Sequence, residues 1–339
     1  MKINNRENIE TPIIKGSFYF LVIFFLTNLV LSPSTFAISQ DYRYTPSVHM
    51  KHFSLADGLS QNTGADIIQD SEGYIWIATD DGINRFDGTE FKQFRQEHGN
   101  PNSLHENGVI SLMEEPGKGI WIGTLSGPSF YEFSSGKFIN YSKNLPKLKT
   151  YVLGFSMTDD NIIWLATING LFYLDRKIES NFIPFTSPDG QVISSQVTAF
   201  SQSEDHLYVA TDYCVYQIKP TDFSAINICS DELLAQLKFR HIVVINLIDD
   251  SLWIGTDDGL YKYGIINREV VRFAYDKDNQ NSISNNFILD IVADKKGALW
   301  IATSGGLNEF NLENKKIRAI KKRYTQIMVS PRTILFLFL

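Results

Sequence analysis

Between about residue 48 and residue 320, short apolar runs alternate with clusters of Gly, Asp, Asn and Ser, and the runs recur in a fixed order. Trp76-Ile77-Ala78-Thr79 is followed by Trp121-Ile122-Gly123-Thr124, Trp164-Leu165-Ala166-Thr167, Tyr208-Val209-Ala210-Thr211, Trp253-Ile254-Gly255-Thr256 and Trp300-Ile301-Ala302-Thr303, at intervals of 45, 43, 44, 45 and 47 residues. All six copies read aromatic, aliphatic, Ala or Gly, Thr. An apolar run precedes each, as in Ala65-Asp66-Ile67-Ile68 and Ile288-Leu289-Asp290-Ile291, and a turn such as Glu72-Gly73 or Lys296-Gly297 separates the two. After the Thr come Asp80-Asp81-Gly82, Ser126-Gly127, Asn169-Gly170, Asp257-Asp258-Gly259 and Gly305-Gly306. Such pairs supply the positive φ of tight hairpins. A third strand is predicted around Phe86, Tyr131, Tyr263 and Phe310, and a fourth around 91–94, 138–141, 182–185 and 271–273.

Each unit therefore predicts four short antiparallel strands. Ile75-Trp76-Ile77-Ala78 is apolar at every place, which a strand tolerates when both its faces are covered. A period in the forties with this content predicts an all-β chain, a β-propeller of four-stranded antiparallel blades with six repeats visible and a seventh incomplete or absent. The repeated Trp, Ile, Ala and Thr read first as core packing. The Ala or Gly leaves room where blades converge.

The chain has 339 residues, a formal net charge of −7, 43% hydrophobic and 20% charged residues. That is ordinary globular composition. The acidic balance argues against a nucleic-acid surface, which needs clustered cations. The basic stretch from Lys315-Lys316 to Lys321-Lys322-Arg323 reads as a solvated strand end. Near the start, Lys2, Arg6 and Lys15 precede a fourteen-residue apolar run over 18–31, then Ser32-Pro33-Ser34 and Thr35-Phe36-Ala37. This is the pattern of a secretory signal over residues 1–37, cleaved after Ala37. The rival is an uncleaved anchor, for which the run is short against the roughly 20 residues a span needs. Either reading places the rest of the chain outside the cytoplasm, in the periplasm or facing it from the inner membrane.

The stretch Asp57-Gly58-Leu59-Ser60-Gln61-Asn62, then Asp70-Ser71-Glu72-Gly73-Tyr74-Ile75-Trp76-Ile77-Ala78-Thr79-Asp80-Asp81-Gly82-Ile83-Asn84-Arg85-Phe86-Asp87-Gly88, resembles the two-component regulator propeller family. Asn100-Pro101-Asn102-Ser103-Leu104 and Asn279-Gln280-Asn281-Ser282-Ile283-Ser284 are further pieces of that likeness, which covers roughly 48–320. The resemblance implies a periplasmic sensor for a carbohydrate, another small molecule or a periplasmic protein. In such receptors, propellers of usually seven blades precede a membrane helix and a histidine kinase or diguanylate cyclase. This sequence departs from the pattern. Copy four has Tyr208 for Trp and Tyr213-Cys214 in the turn, and no output-domain sequence is seen. Residues 321–339 read as an atypical tail, with Ile334-Leu335-Phe336-Leu337-Phe338-Leu339 a candidate first strand of an unfinished seventh blade. The expectation is the sensor end of a longer protein, cut short. His52-Phe53-Ser54-Leu55 reads as a strand that closes the ring.

No catalytic residue and no cofactor is expected. His49, His52, His98, His105, His206 and His241 show no metal-ligand pairing, and no Gly-x-Ser-x-Gly or His-Glu-x-x-His occurs. Asp276, Asp278 and Gln280 hint at a calcium loop. The central Gly is missing and Phe287 takes the place of the bidentate Glu, so a solvated loop is the favoured reading and no metal is expected. Asn62, Asp80, Asp81, Asn107, Asp257, Asp258 and Asn286 stand in turns or ahead of first strands. They form either turn chemistry or the ligand-binding mouth of a central channel, with Thr150 and Ser194 at matching places and Phe239 breaking the set. If 220–223 is a turn, Lys219 pairs with Ser224 and Cys214 falls opposite Cys229. That register permits a disulfide in an oxidising compartment; the alternative is two buried thiols. A sensing or docking propeller is the first reading. A propeller enzyme resembling the streptogramin lyases, a hydrolase, and a non-functional remnant are the alternatives. A homodimer is left open, and membrane attachment would come only through an uncleaved signal or a missing C-terminal part.

Overall fold

A computed structural model describes residues 53–141, 150–159, 161–212, 214–230, 240–294 and 297–320. The signal region, His49, His52, Tyr213, Phe239 and the tail from 321 lie outside these residues. The strands fall into six sheets of four antiparallel strands. Blade one is β1 (Gly64–Gln69), β2 (Ile75–Thr79), β3 (Gly82–Phe86) and β4 (Phe91–Phe94). Blade two is β5 (Val109–Glu115), β6 (Gly119–Thr124), β7 (Gly127–Glu132) and β8 (Lys137–Asn140). Blade three is β9 (Val152–Asp159), β10 (Ile162–Thr167), β11 (Gly170–Asp175) and β12 (Ile183–Pro184). Blade four is β13 (Val197–Gln202), β14 (Leu207–Thr211), β15 (Val215–Ile218) and β16 (Ala225–Asn227). Blade five is β17 (Ile242–Ile248), β18 (Ser251–Thr256), β19 (Gly259–Gly264) and β20 (Val270–Phe273). Blade six is β21 (Ile288–Ala293), β22 (Ala298–Thr303), β23 (Gly306–Asn311) and β24 (Lys316–Ile320). First strands pack in chain order, β1 on β5, β5 on β9, β9 on β13, β13 on β17 and β17 on β21. The architecture is a β-propeller.

The all-apolar motif strand is explained by its two faces. Its side chains alternate, and five apolar clusters join consecutive blades. Trp76 and Ala78 of blade one bury against Ile120 and Ile122 of blade two. Trp121 meets Ile163 and Leu165, Trp164 meets Leu207 and Val209, Tyr208 meets Leu252 and Ile254, and Trp253 meets Leu299 and Ile301. The aromatic thus faces the following blade and the aliphatics face the preceding one. The small third residue lies where the next first strand crosses. A Cβ on Gly255 would come within 2.6 Å of Ile288 Cγ2, closer than packed carbons approach.

The Thr of the motif has a task beyond packing. Its Oγ1 donates to the carbonyl three residues on in every blade, at 2.7–3.1 Å. In five blades the same oxygen accepts the N–H two residues on. Each Thr therefore closes the turn between second and third strands. A buried indole N–H also needs a partner, and in four blades the residue six places earlier supplies it. Trp76 donates to Asp70 at 2.7 Å, Trp121 to Glu115 at 3.0 Å, Trp164 to Thr158 at 2.9 Å and Trp300 to Asp294 at 3.0 Å.

The predicted closing strand is corrected. Phe53 packs tilted on Phe86 and edge-on to Phe91 of blade one, and Leu55–Asp57 is a 3-10 turn. Ser54 and Asp57 form a capping box, the Ser54 side chain accepting from Ala56 N–H and Asp57 accepting from Ser54 N–H. That reciprocal cap turns the chain where the apolar pattern alone suggested extension.

Asp290 on β21 accepts only the neighbouring Ile291 N–H at 2.8 Å among its described contacts. Burial pushes its carboxyl up to about 6 from 3.8. A folded-state value above the unfolded one means the fold is favoured by protonation. The associated stability is complete below 3.8 and is lost as pH rises through about 6. Asp290→Asn is expected to gain on the parent protein across that window, by at most about 3 kcal/mol. Thermal unfolding of both proteins across a pH series checks this, and parallel curves would refute it.

Candidate binding rim

Strand pairing brings the sequence-predicted polar positions to one rim. In blade one Gly64 pairs with Thr79, Thr79 with Gly82, and Ile83 with Phe94. The start of the first strand, the turn between second and third, and the end of the fourth therefore coincide. Every fourth-to-first-strand connection begins and ends on that same rim. Asn62, Asp80, Asp81, Asn107, Asp257, Asp258 and Asn286 all belong to these turns and connections.

Most of them also carry a structural duty. Asp81 is paired with Arg95 at 2.9 Å, and Asn107 donates to the other Asp81 oxygen at 3.2 Å. Asn107 also accepts Gln96 N–H at 2.7 Å, and its carbonyl accepts Gly82 N–H at 2.8 Å. The blade-one turn is thereby clamped to the connection entering blade two. Gly82 has a φ of 95°, and a Cβ there would lie 2.2 Å from the Phe94 carbonyl oxygen, so only glycine allows this closeness. Asp258 is bracketed by Arg240 at 3.0 Å and Arg272 at 2.8 Å. Asp257 accepts His241 N–H at 3.2 Å, Asn62 accepts Leu55 N–H at 2.9 Å, and Asn286 accepts Tyr275 N–H at 2.7 Å. Asp80 is exposed. Of the matching positions, Thr150 is buried and accepts from Asn169 at 3.0 Å, while Ser194 is exposed.

A layer of polar groups that the sequence pattern did not mark lies beneath the rim. Ser60 N–H donates to Asn84 Oδ1 at 2.8 Å, Asn84 Nδ2 donates to Ser60 Oγ at 2.8 Å, and Ser60 Oγ meets Thr79 Oγ1 at 2.8 Å. Ser284, Asn308 and Thr303 repeat this network in blade six. Blade two uses His105 and Ser129 at the same places, Nδ1 to Oγ 2.9 Å. The paired exchange of Ser–Asn for His–Ser within one chain was the available signal.

The Asn-x-Asn-Ser connections are turn devices. Ser103 Oγ donates to the Asn100 carbonyl at 2.9 Å and accepts Glu97 N–H at 3.0 Å. Ser282 repeats this with Asn279 and Asp276, and Leu104 and Ile283 then plug the core fully buried. Asp276 spends one carboxylate oxygen on Asp278 N–H at 2.9 Å, which is turn chemistry of the solvated-loop kind. Cys214 and Cys229 are both thiols, at the rim end of blade four.

The rim thus presents carboxylates neutralised by guanidinium groups, amides and hydroxyls. Among the described residues no His, Cys, Asp and Glu group has metal-binding geometry. Such a surface offers directional hydrogen bonds.

Residues 282–305 match the family model described as Two component regulator propeller. A stretch of 45 residues is 51% identical to histidine kinase P4 of Formosa agariphila, covering 13% of this chain and 3% of the kinase. The extracellular domain of a putative one component system from B. thetaiotaomicron superposes with a TM-score of 0.55 at 20% identity, over 73% of this chain and 38% of that one. Virginiamycin B lyase from Staphylococcus aureus gives 0.55 at 13% identity, over 77% and 85%. At these identities the superpositions show the fold alone. The protein is a β-propeller, and residues 282–305 of it are similar to the two-component regulator propeller repeat.

Proposed function

We propose that this chain is a ligand-sensing propeller of a signal-transduction receptor, working in the periplasm and binding without turnover. The family match at 282–305 carries the reading. The kinase likeness and the extracellular setting of the superposed sensor domain support it. The rim supports a hydroxyl-rich ligand, because Asp81–Arg95–Asn107 and Arg240–Asp258–Arg272 place donors and acceptors side by side. Planar guanidinium and carboxylate groups of this kind pair well with vicinal hydroxyls. The ligand proposed is a carbohydrate, and the output lies in a kinase or cyclase partner domain.

Thermal unfolding of the purified chain against a panel of mono- and oligosaccharides tests this. A saturable rise in midpoint is expected, since a ligand binding only the native state at 100 times its Kd adds about 2.7 kcal/mol. The rise should be lost in Asn107→Ala and Arg272→Ala, with the sugar recovered unchanged. Recovery of a cleaved or eliminated product would replace sensing by catalysis. No shift with any sugar would remove the carbohydrate reading.

A further inference from the structure

Blade four departs from its neighbours at the rim, where Cys214 occupies the place of the turn glycine. Thr211 Oγ1 still donates to the Cys214 carbonyl at 3.1 Å, as the other motif threonines do to glycine carbonyls. Tyr216 pairs with Asn227 and Ile218 with Ala225, and the Lys219 N–H bond to Ser224 O continues that register. The predicted pairing is corrected at the other end: the ladder ends at Asn227 and Cys229 lies in a 3-10 turn over Ile228–Ser230, which still brings it beside the Cys214 end of β15. The contacts agree. Val215 N–H donates to Cys229 Sγ at 3.0 Å, Cys214 Sγ donates to Asn227 Oδ1 at 2.7 Å, and the same Oδ1 accepts Cys229 N–H at 2.9 Å. Sharing Val215 and Asn227 as partners, the two side chains are neighbours.

Their surroundings make them unequal. Cys214 is half-buried, while Cys229 has no exposed surface and belongs to the cluster between blades four and five. The neighbouring Cys229 thiol holds Cys214 below the usual thiol range. The same pairing, with burial, pushes Cys229 up. A reagent from solvent meets Cys214 first, and in its more reactive form.

We propose that Cys214 and Cys229 are a redox pair on the binding rim, with Cys214 the nucleophile and Cys229 the resolving thiol. Cys214 thiolate attacks a small-molecule disulfide such as oxidised glutathione. One glutathione thiolate leaves and a Cys214–glutathione mixed disulfide remains. Cys229 then attacks Cys214 Sγ, an S–S bond between the two forms, and the second glutathione leaves. Two protein thiols are oxidised, one glutathione disulfide is reduced, and both thiol protons end on the released glutathione. The product ties the 3-10 turn after β16 (Ile228–Ser230) to the turn that closes β14 against β15. This inference stands apart from the carbohydrate reading.

The test treats the purified full chain with oxidised glutathione, quenches in acid, and reads intact and peptide masses after alkylating the remaining thiols. The parent protein is expected to lose both alkylatable thiols and to show the transient adduct on the Cys214 peptide. Cys229→Ser should stop at one glutathione per chain, and Cys214→Ser should react at least about tenfold more slowly, following the thiolate fraction and access. The oxidised parent should unfold about 5 °C above the reduced one. An adduct on the Cys229 peptide of the parent protein, or a parent that halts at the mixed disulfide, overturns the proposal even if the serine variants fold poorly.

Discussion

Arg176→Ala is expected to destabilise the protein by about 3 kcal/mol at neutral pH, the lower end of what breaking a buried ion pair costs. Glu115, with a side chain 2% exposed, is gripped by Arg176 at 2.5 Å and Lys118 at 2.8 Å. It also accepts the Trp121 indole at 3.0 Å. Arg176 belongs to blade three and lies 5.5 Å over the Trp121 ring of blade two, so one guanidinium holds the two blades by charge and by π contact. Removing it leaves a carboxylate in the interface with only Lys118, itself 53% exposed, as its cation, which is why the lower figure applies. Burial works against the Glu115 charge, but the bonds from Arg176, Lys118 and Trp121 outweigh it and hold the carboxyl below its ordinary 4.5. Linkage sets the sign. A depressed folded-state value contributes stability above about 4.5, and that contribution is lost as pH falls through the folded value. The gap between parent and variant should therefore be full at neutral pH and narrow in acid. Urea unfolding at neutral pH and near pH 4 measures both, and equal midpoints at neutral pH would contradict the bridge.

The sequence periodicity was enough to place all six blades, because each motif strand is sandwiched and cannot vary independently on its two faces. Tyr208, the one motif aromatic that is not Trp, still folds as its equivalents do, 3% exposed. The register of blade four was legible for the same reason: with Lys219 paired to Ser224, a two-residue difference would have flipped no face, but a one-residue slip would have exposed Ile218. What escaped was everything carried by contacts at unrelated spacings. The Glu115–Arg176 pair joins residues 61 apart, which no motif interval marks. The Thr and Asn-x-Asn-Ser roles were hidden differently. Their residue types fit packing or loop composition equally well, and only the geometry shows each hydroxyl serving both as donor and as acceptor. At the rim the sequence found the right turns but not their occupation. Asp81 and Asp258 stand where the turn signals put them, yet each is already bonded to arginine. A ligand there would meet paired charges, so hydrogen-bond exchange would govern recognition more than net attraction.

The second large effect tests the repeat itself. Trp164 has no exposed surface, packs against the tilted rings of Tyr173, Phe185 and Phe223, and donates its indole N–H to Thr158 at 2.9 Å. Trp164→Ala should cost about 3–5 kcal/mol, because the transfer energy is lost and the cavity cannot collapse between two sheets. Thr158 loses its donor as well. Trp164→Tyr should cost far less, about 1–2 kcal/mol, because Tyr208 fills the same place in the next blade. The two variants separate volume from aromatic identity, and chemical unfolding monitored by the remaining tryptophans reads the difference. Equal losses would mean that each interface is shaped for its own side chain. A small loss for tyrosine would mean that the blades share one interchangeable interface, so that the five junctions differ in energy mainly by the polar bridges, such as Glu115–Arg176, laid across them.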